Sequence, residues 1–353
     1  MTASNDRDVA IEPSEVERWL LSHLDVERVD SARGLYELMP KQRGGQLPLV
    51  DVPYDPFSES HWAEAARIAD YVAHAPEGAR RVLDIGPGDG WPALPVAVAR
   101  PDLEVIGVDP SPLRVEVCTA NARRLGLSNA RFVVSDGALL PFPDASFDLV
   151  TAASSIEEAS DPEAVLAECA RVLRPGGVLR ASSQDWRLAG RGFETVMVWE
   201  AGGVPLWTYV RRIADPPTER RYNLVLNGDE ATSVIHLEAL IGVAEGRRAY
   251  GETLFEPRFG VAVLERLESH VARSNLVELR RWSTPDLVEA IRRVGFREAR
   301  ATVHPGELGR RFARDLLARD AMGPFVPLFD DATRALGVLA GSQAGDAMVC
   351  GVR

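Results

Sequence analysis

Hydrophobic and polar residues follow two different periods in the part of the chain that begins at residue 81. Short apolar runs are each followed by segments in which apolar residues recur every three to four positions. The first pattern predicts buried strands, and the second predicts amphipathic helices. Strands that alternate with helices in this way predict an α/β fold with a mostly parallel, doubly wound sheet covered on both faces.

Seven segments carry the strand pattern. They are RVLDIG (81–86), EVIGVD (104–109), ARFVVSD (130–136), FDLVTAAS (147–154), GVLRASS (177–183), the second half of STPDLVEAIRRVGFREARATVHP (283–305) and DAMVCGVR (346–353). The helices between them begin with typical caps, such as Ser111 before Pro112 and Asp161 before Pro162. We therefore predict a seven-stranded sheet.

The chain divides into three predicted parts. Residues 1–78 contain two amphipathic helices, the first opened by the capping-box pattern of Ser14, and we predict them as an N-terminal helical lid segment. Residues 79–185 and 281–353 form the predicted sheet domain. Residues 186–280 lose the regular rhythm, and we predict them as an inserted α+β cap after the fifth strand.

Within the insertion, the pattern predicts three strands and one helix. Two strands flank the Gly202–Gly203 pair, and a third covers residues 220–227. We predict the helix over residues 259–276.

Three glycines, Gly86, Gly88 and Gly90, follow the first strand at alternate positions. Glycine permits backbone angles that other residues avoid and lets a ligand approach the main chain. Open α/β sheets bind their ligands at this place, beside a helix N-terminus. Dinucleotide binding requires G-x-G-x-x-G, and Trp91 stands where the third glycine would be. The spacing alone leaves two alternatives, a site for another adenosine compound or an ordinary tight turn.

Acidic residues follow the next two strands. Asp109 ends the second strand, where a carboxylate can accept hydrogen bonds from both ribose hydroxyls. Asp136 ends the third strand, where it could accept from an adenine amino group. Each aspartate taken alone also fits a helix cap or a turn.

Four motifs in order resemble class I S-adenosylmethionine-dependent methyltransferases, and among them the small-molecule group called type 11. They are VLDIGPGDG (82–90), VIGVDPS (105–111), SDGALLPFPDASFDLV (135–150) and LAECARVLRPGGVL (166–179). The resemblance covers about residues 80–183, and a weaker similarity is present in STPDLVEAIRRVGF (283–296). It implies a Rossmann-like sheet and the transfer of a methyl group, by in-line displacement, to an O, N or C atom of a small molecule.

The resemblance also implies a set of cofactor-binding residues for S-adenosylmethionine, with S-adenosylhomocysteine as the product. The loop would hold the methionine and ribose, the second strand the ribose hydroxyls, and the third strand the adenine. The residues are Asp84, Ile85, Gly86, Pro87, Gly88 and Gly90 for the loop, Asp109 and Pro110 for the ribose, Asp136 and Gly137 for the adenine, and Ala153 and Tyr54 as further contacts. Trp91 is then no obstacle, because this cofactor has no pyrophosphate.

The segment after the fourth strand departs from the family. Many members have two histidines there, whereas this chain has Glu157 and Glu158. We predict Glu157 as a catalytic residue and Glu158 as a substrate-binding residue; the alternative is a pair of solvated acids near the Asp161 helix cap. His61, in the lid region, is the second predicted catalytic residue, with an exposed position as its alternative. We predict His304 as a surface turn residue.

Four of the seven tryptophans lie between residues 186 and 282. We predict Trp186, Trp199 and Trp207 as substrate-binding residues, because aromatic walls suit an apolar or ring-containing substrate. Two alternatives stay open, a homodimer interface or the insertion's own small core.

Composition and charge limit the kinds of binding partner that we expect for this protein. The 353-residue chain has 40 basic and 52 acidic residues and a net charge of −12, which disfavours nucleic acid. We expect no membrane partner and a cytoplasmic location, since no signal-peptide pattern and no apolar run of about 18 residues is present. The spacing of the three cysteines does not match that of metal ligands, and we predict free thiols and no metal site.

Two other functions remain as alternatives. They are an NAD-dependent oxidoreductase and an inactive binding protein that keeps the cofactor fold.

Overall fold

The architecture comes from a computed structural model. It describes residues 11–29, 52–182, 194–201, 204–227, 248–249, 252–255, 261–345 and 347–353. The chain divides into two compact units. We call Lys41–Ala189 with Trp282–Arg353 the α/β unit, and Met1–Pro40 with Gly190–Arg281 the antiparallel unit.

The α/β unit contains seven strands and seven α-helices among its described residues. Its strands are β2 (Arg81–Ile85), β3 (Glu104–Asp109), β4 (Ala130–Val134), β5 (Phe147–Ala153), β6 (Leu173–Ser182), β13 (Glu298–Thr302) and β14 (Met348–Val352). Its helices are α2 (Glu59–Ala73), α3 (Ala93–Ala99), α4 (Pro112–Arg124), α5 (Pro162–Val172), α7 (Thr284–Arg293), α8 (Pro305–Ala318) and α9 (Phe329–Ser342).

These seven strands form one sheet in the order β13–β14–β6–β5–β2–β3–β4. The pairings among β2 to β6 are parallel, and β14 is antiparallel to both of its neighbours. The predicted Rossmann-like, mostly parallel sheet is confirmed. Because β2 to β6 run in one direction, their carboxyl ends lie at one edge, and the loops that follow them meet there.

Buried apolar residues on the strands explain why this sheet is central. Leu83, Ile106, Val150 and Leu179 are fully buried, as a parallel sheet covered on both faces requires. The predicted caps are present: the Ser111 side chain accepts from the backbone of α4, and Asp161 does the same for α5.

Helices α8 and α9 pack against α2. Gly309 of α8 lies so close to α2 that a Cβ there would stand 2.4 Å from the carbonyl oxygen of Trp62. Trp62 itself is fully buried, and its ring contacts Phe312 and Phe329. Helix α9 was absent from the sequence prediction.

The antiparallel unit has its own seven-stranded sheet, in the order β1–β12–β9–β8–β7–β11–β10. The strands are β1 (Val26–Val29), β7 (Glu194–Ala201), β8 (Val204–Ile213), β9 (Thr218–Leu226), β10 (Arg248–Ala249), β11 (Glu252–Phe255) and β12 (Val271–Arg280), and the helices are α1 (Glu15–His23) and α6 (Val261–Leu267). The pairings are antiparallel apart from β1 with β12.

The structure of this unit differs from the sequence prediction in two respects. Helix α1 groups with residues 190–281, whereas the sequence placed it with residues 1–78. Its apolar residues Val16, Trp19 and Leu20 pack in one core with Trp207, because that sheet face supplies the apolar partner that the stripe requires. The predicted helix over residues 259–276 is wrong beyond residue 270: Val271–Arg280 is a strand, paired along β9.

Among the described residues, the structure contains no helix with both the length and the apolar character that crossing a membrane requires. Cys118, Cys169 and Cys350 are buried free thiols.

Candidate functional site

The glycine loop follows β2 at the carboxyl edge of the sheet. Gly86, Gly88 and Gly90 have positive φ angles of 66°, 57° and 119°, which side chains rarely adopt. A Cβ at Gly86 would lie 2.6 Å from the Cβ of Ser155. A Cβ at Gly88 would meet no described atom within 4 Å. Gly86 is therefore required by close packing, and Gly88 leaves the main chain open to a ligand.

Helix α4 holds this loop in place from the side. The Asn121 amide donates to the carbonyl of Asp89 at 2.7 Å, and the Cys118 thiol donates to the carbonyl of Gly88 at 3.1 Å. Arg114 forms a buried ion pair with Asp89. These three contacts fix the backbone of the loop before any ligand binds, which lowers the entropic penalty of binding.

Asp84, on β2, is fully buried beneath the loop. Its carboxylate accepts from the Thr151 hydroxyl at 2.7 Å and from the backbone N–H of Ala93 at 3.2 Å. Burial raises its pKa from 3.8 to about 7, and the negative charge of Asp109 acts in the same direction. A nearby cation would favour the ionised form, so Asp84 is suited to a positively charged group of a ligand.

Asp109 ends β3, the neighbouring strand of β2. It is buried, and its carboxylate accepts from the backbone N–H of Ser111 at 2.9 Å. Burial raises its pKa to about 6, while the Ser111 hydrogen bond and the charge of Arg114 act against this rise. The residue that caps α4 is Ser111, so the alternative of Asp109 as the helix cap is wrong.

Asp136 and Gly137 follow β4 in a turn. Asp136 is exposed, and its carboxylate accepts from the backbone N–H of Ala138 at 2.9 Å. A Cβ at Gly137 would lie 3.3 Å from Val165 on α5. These contacts also fit an ordinary turn, so the role of both residues in adenine binding stays a prediction.

Glu157 and Glu158 lie in a short 3₁₀ helix, Ile156–Glu158, after β5. Glu157 is 6% exposed, so the alternative of two solvated acids is wrong for this residue. Glu158 is half-buried. Ala153 is the last residue of β5 and pairs with Ser182 at the end of β6.

Tyr54 and His61 lie together, with ring centroids 5.7 Å apart. The Nδ1 atom of His61 accepts from the backbone N–H of Asp55 at 2.7 Å, which leaves Nε2 to carry the imidazole proton when the ring is neutral. Tyr54 packs at the margin of the Trp62 core. The cofactor role of Tyr54 and the catalytic role of His61 stay predictions.

The predicted aromatic wall is described only in part. Trp186 lies outside the described residues, and Trp199 lies on β7 with its side chain outside what the structure describes. Trp207 is fully buried in the core of the antiparallel unit, together with Tyr209 and residues of α1. That position matches the alternative of an internal core, and the substrate role of Trp207 stays a prediction.

Four residues that the sequence analysis did not assign form a contiguous group, which we call the Arg67 cluster: Arg67, Tyr71, Trp91 and Ser182. The guanidinium carbon of Arg67 lies 3.8 Å from the centroid of the Trp91 ring. The rings of Tyr71 and Trp91 meet edge to face, with centroids 6.0 Å apart. Burial raises the pKa of Tyr71 to about 12, while the charge of Arg67 and the hydroxyl of Ser182 act against this rise.

His304 borders this group and is not a surface residue. It is half-buried, and a Cβ at Gly306 would stand 2.9 Å from both its ring and the Arg67 side chain. Burial lowers its pKa to about 4, and the charges of Arg67, Arg180 and Arg310 lower it further. The prediction of a surface turn was wrong because α8 begins at the next residue and covers the ring.

One sequence signal could have indicated the cluster. Arg67 and Tyr71 are spaced four residues apart on α2, so they share a helix face. Trp91, directly after Gly90, carries no such spacing signal. Which groups lie opposite that helix face is decided by the packing of α2 over the sheet, and no local pattern records it.

Comparison with known proteins identifies the central part of the α/β unit. A family model described as a methyltransferase domain matches residues 83–181. Demethylmenaquinone methyltransferase of Deinococcus radiodurans is 41% identical over 118 residues, which are 33% of this chain and 47% of that protein. The 27-O-demethylrifamycin SV methyltransferase of Amycolatopsis mediterranei is 42% identical over 100 residues, 28% of this chain and 36% of that protein.

Among solved structures, S-adenosylmethionine-bound CalS10, an amino pentose methyltransferase from Micromonospora echinaspora, is similar with 19% identity and a TM-score of 0.44. The match covers 83% of this chain and 91% of that one. This chain spans about half the length, or less, of the two curated relatives above. The matched residues contain the glycine loop, Asp84, Asp109 and Asp136. Residues 83–181 therefore match a methyltransferase domain, which supports the resemblance to class I S-adenosylmethionine-dependent methyltransferases.

Proposed function

We propose that this protein transfers a methyl group from S-adenosylmethionine to an O, N or C atom of a small molecule. One observation carries the proposal: an open glycine loop lies at the end of β2, with buried carboxylates on β2 and β3 beside it. The parallel register places Asp84 next to Gly107, two residues before Asp109 on β3. Carboxylates and open backbone at one sheet edge suit a ligand that combines an ammonium group with a ribose.

The chain's residues fit that cofactor in three respects. Asp84, whose pKa is raised to about 7, gains its missing counter-charge from the α-ammonium group. Asp109, whose pKa is raised to about 6, can accept hydrogen bonds from two ribose hydroxyls once it is ionised. Gly88 leaves the loop open on the ligand side, because a Cβ there meets no described atom within 4 Å.

Bound S-adenosylmethionine would supply a methyl group that is already activated by its sulfonium centre. The protein's part is to orient the acceptor in line with that methyl group and to exclude water. An acceptor that is protonated at neutral pH also requires a base. Glu157 and His61 are our candidates for that role, and Glu158 is our candidate for holding a cationic or amine substrate.

We also propose that residues 186–280 select the substrate. Aromatic residues there suit an apolar or ring-containing acceptor, and a homodimer interface is the other use of the same surface. We expect a small-molecule acceptor and a cytoplasmic protein, without nucleic acid as a partner.

Calorimetric titration tests the proposal directly. Wild-type protein is titrated with S-adenosylhomocysteine and, separately, with NAD. We expect micromolar binding of S-adenosylhomocysteine and none of NAD. Replacement of Asp109 by Ala should weaken S-adenosylhomocysteine about tenfold or more, because the two ribose hydroxyls lose a charged acceptor.

Asp102→Ala is the matched control, since that exposed carboxylate lies before β3 and pairs with Arg100. Binding of NAD in preference to S-adenosylhomocysteine would refute the proposal in favour of an oxidoreductase. Unchanged S-adenosylhomocysteine affinity in a folded Asp109→Ala protein would refute the assignment of the site. Tight cofactor binding without transfer to any of a broad panel of acceptors would favour the inactive binding protein.

A further inference from the structure

Helix α9 packs on α2 through one of its sides. A Cβ at Gly337 would stand 2.7 Å from the backbone nitrogen of Asp70, and a Cβ at Gly341 would stand 2.8 Å from a carboxylate oxygen of the same residue. Phe329 of α9 is buried as well. Because an α-helix turns by about 100° per residue, the residues between these positions point away from α2.

The opposite side of α9 is apolar and exposed. Leu328, Val338 and Leu339 are 51%, 52% and 47% exposed, and Ala335 is exposed between them. Residues 332–342 contain a single charged residue, Arg334. A surface helix normally has a polar outer side, and a helix that is apolar all round is normally covered. We call Leu328, Ala335, Val338 and Leu339 the α9 stripe, and we expect a partner to cover it.

Charge favours a second copy of the chain as that partner. The chain carries a net charge of −12, so two copies repel each other on average. Residues 305–342, which form α8, α9 and the segment between them, contain five acidic and five basic residues. This part of the chain is therefore neutral, and it contains the α9 stripe. Two copies can meet here without the like-charge repulsion that contacts between acidic surfaces involve.

The sequence of α9 is also complementary to itself. Most soluble oligomers are symmetric, and in an antiparallel helix pair around a two-fold axis each contact is made twice. A register that places Leu328 opposite the partner's Val338 leaves the partner's Leu339 beside it. The same register brings Asp331 next to the partner's Arg334. The macrodipoles of the two helices then run in opposite directions, which is the favourable arrangement.

We propose that the α9 stripe is the interface of a homodimer, in which α9 packs antiparallel against α9 of a second copy. The inference goes beyond methyl transfer, and it places the dimer contact outside residues 186–280. A contact built on one helix pair lies at the small end of specific interfaces, below about 1,200 Å² in total. We therefore expect a reversible dimer with a dissociation constant of about 1–100 µM.

Sedimentation velocity of the full chain, from about 1 µM to about 300 µM, measures this equilibrium. Val338→Glu and Leu339→Glu each place a charge in the stripe and should weaken the dimer about tenfold or more. Both side chains are about half exposed, so the melting temperature of the monomer should stay close to that of wild type. Val98→Glu is the matched control, because Val98 is a 42% exposed valine of α3 outside the stripe. The control should dimerise like wild type.

An exchange of charges tests the antiparallel register. Within one chain, Asp331 and Arg334 form an exposed pair at 3.4 Å. Arg334→Asp should weaken the dimer about threefold to tenfold, because the partner's Asp331 then meets a like charge. Asp331→Arg should do the same, and the double variant should return to within about threefold of wild type. Asp330→Arg is the control, since it makes the same charge change in the same helical turn, about 100° round the helix from Asp331.

Two results would overturn the homodimer interface. One is a chain that stays monomeric over the whole concentration range. The other is a dimer that Val338→Glu and Leu339→Glu leave intact, because another surface would then hold the two copies together. Charge variants that weaken the dimer singly and do not recover in the double variant would overturn the antiparallel register.

The dimer and the proposed function can fail separately. S-adenosylhomocysteine titrated into Leu339→Glu should bind as it does to wild type, because the stripe lies on the side of α9 that faces away from α2. Wild-type protein that dimerises through the stripe and binds no S-adenosylhomocysteine would refute the proposed function alone. A monomer that binds S-adenosylhomocysteine would refute the dimer alone.

Discussion

Replacement of Asp84 by Asn should stabilise the ligand-free protein, and the gain should grow with pH. Asp84 is fully buried, and burial raises its pKa to about 7 in the folded protein from 3.8. The folded state therefore holds this proton more tightly than the unfolded chain does. The resulting stabilisation is complete below about pH 4 and is lost as the pH rises through about 7.

The magnitude follows from the same two values. The difference between 3.8 and about 7 corresponds to about 4 kcal/mol of destabilisation once Asp84 is ionised. About 2 kcal/mol of this develops between pH 5.5 and pH 8, because the unfolded chain has already lost the proton at pH 5.5, whereas the folded protein keeps it until the pH reaches about 7. Asparagine has nearly the same shape, stays neutral, and can keep hydrogen bonds to Thr151 and Ala93.

The assay is urea unfolding of ligand-free wild type and Asp84→Asn at pH 5.5 and pH 8, followed by intrinsic fluorescence. The free energy of unfolding of the variant should exceed that of wild type by about 2 kcal/mol more at pH 8 than at pH 5.5. The buried Asp109 has a raised pKa as well and is present in both proteins, so the comparison between them isolates Asp84. An equal advantage at both pH values, or a loss of stability at pH 8, would refute the reasoning.

Two further predictions concern the packing that supports the site. Asp70 and Arg180 form a fully buried ion pair with two contacts of 2.7 and 2.8 Å, so Asp70→Asn should lower the free energy of unfolding by about 3–5 kcal/mol, measured by urea unfolding. The double variant Asp70→Leu with Arg180→Met should recover most of that loss, and failure to recover it would contradict an unpaired charge as the cause. Gly309→Ala should lower stability by about 1–3 kcal/mol in calorimetric melting, because its Cβ would stand 2.4 Å from the carbonyl oxygen of Trp62. Gly323→Ala is the control, since its Cβ meets no described atom within 4 Å, and equal losses in both variants would contradict the packing argument.

The sequence determined the central sheet, because its signal is local. Most strands of the α/β unit are short apolar runs, and three of its helices have a side-chain N-cap: Ser111 at α4, Asp161 at α5 and Ser283 at α7. The glycine loop could also be predicted from the sequence, because the positive φ angles at Gly86, Gly88 and Gly90 favour glycine at those positions. Asp84 and Asp109 lie on adjacent strands because the parallel βαβ order brings them there.

Only the tertiary structure decided which surfaces meet. The apolar stripe of α1 was visible, but nothing in it specified the core that contains Trp207 as its partner. The strand Val271–Arg280 looked helical, because short apolar runs fit either period until a neighbouring strand supplies hydrogen bonds. Arg67 and Ser182 are separated by more than a hundred residues, and their proximity depends on how α2 packs over the end of β6. Local periodicity carries no information about such long-range contacts, so the Arg67 cluster could be recognised only from the tertiary structure.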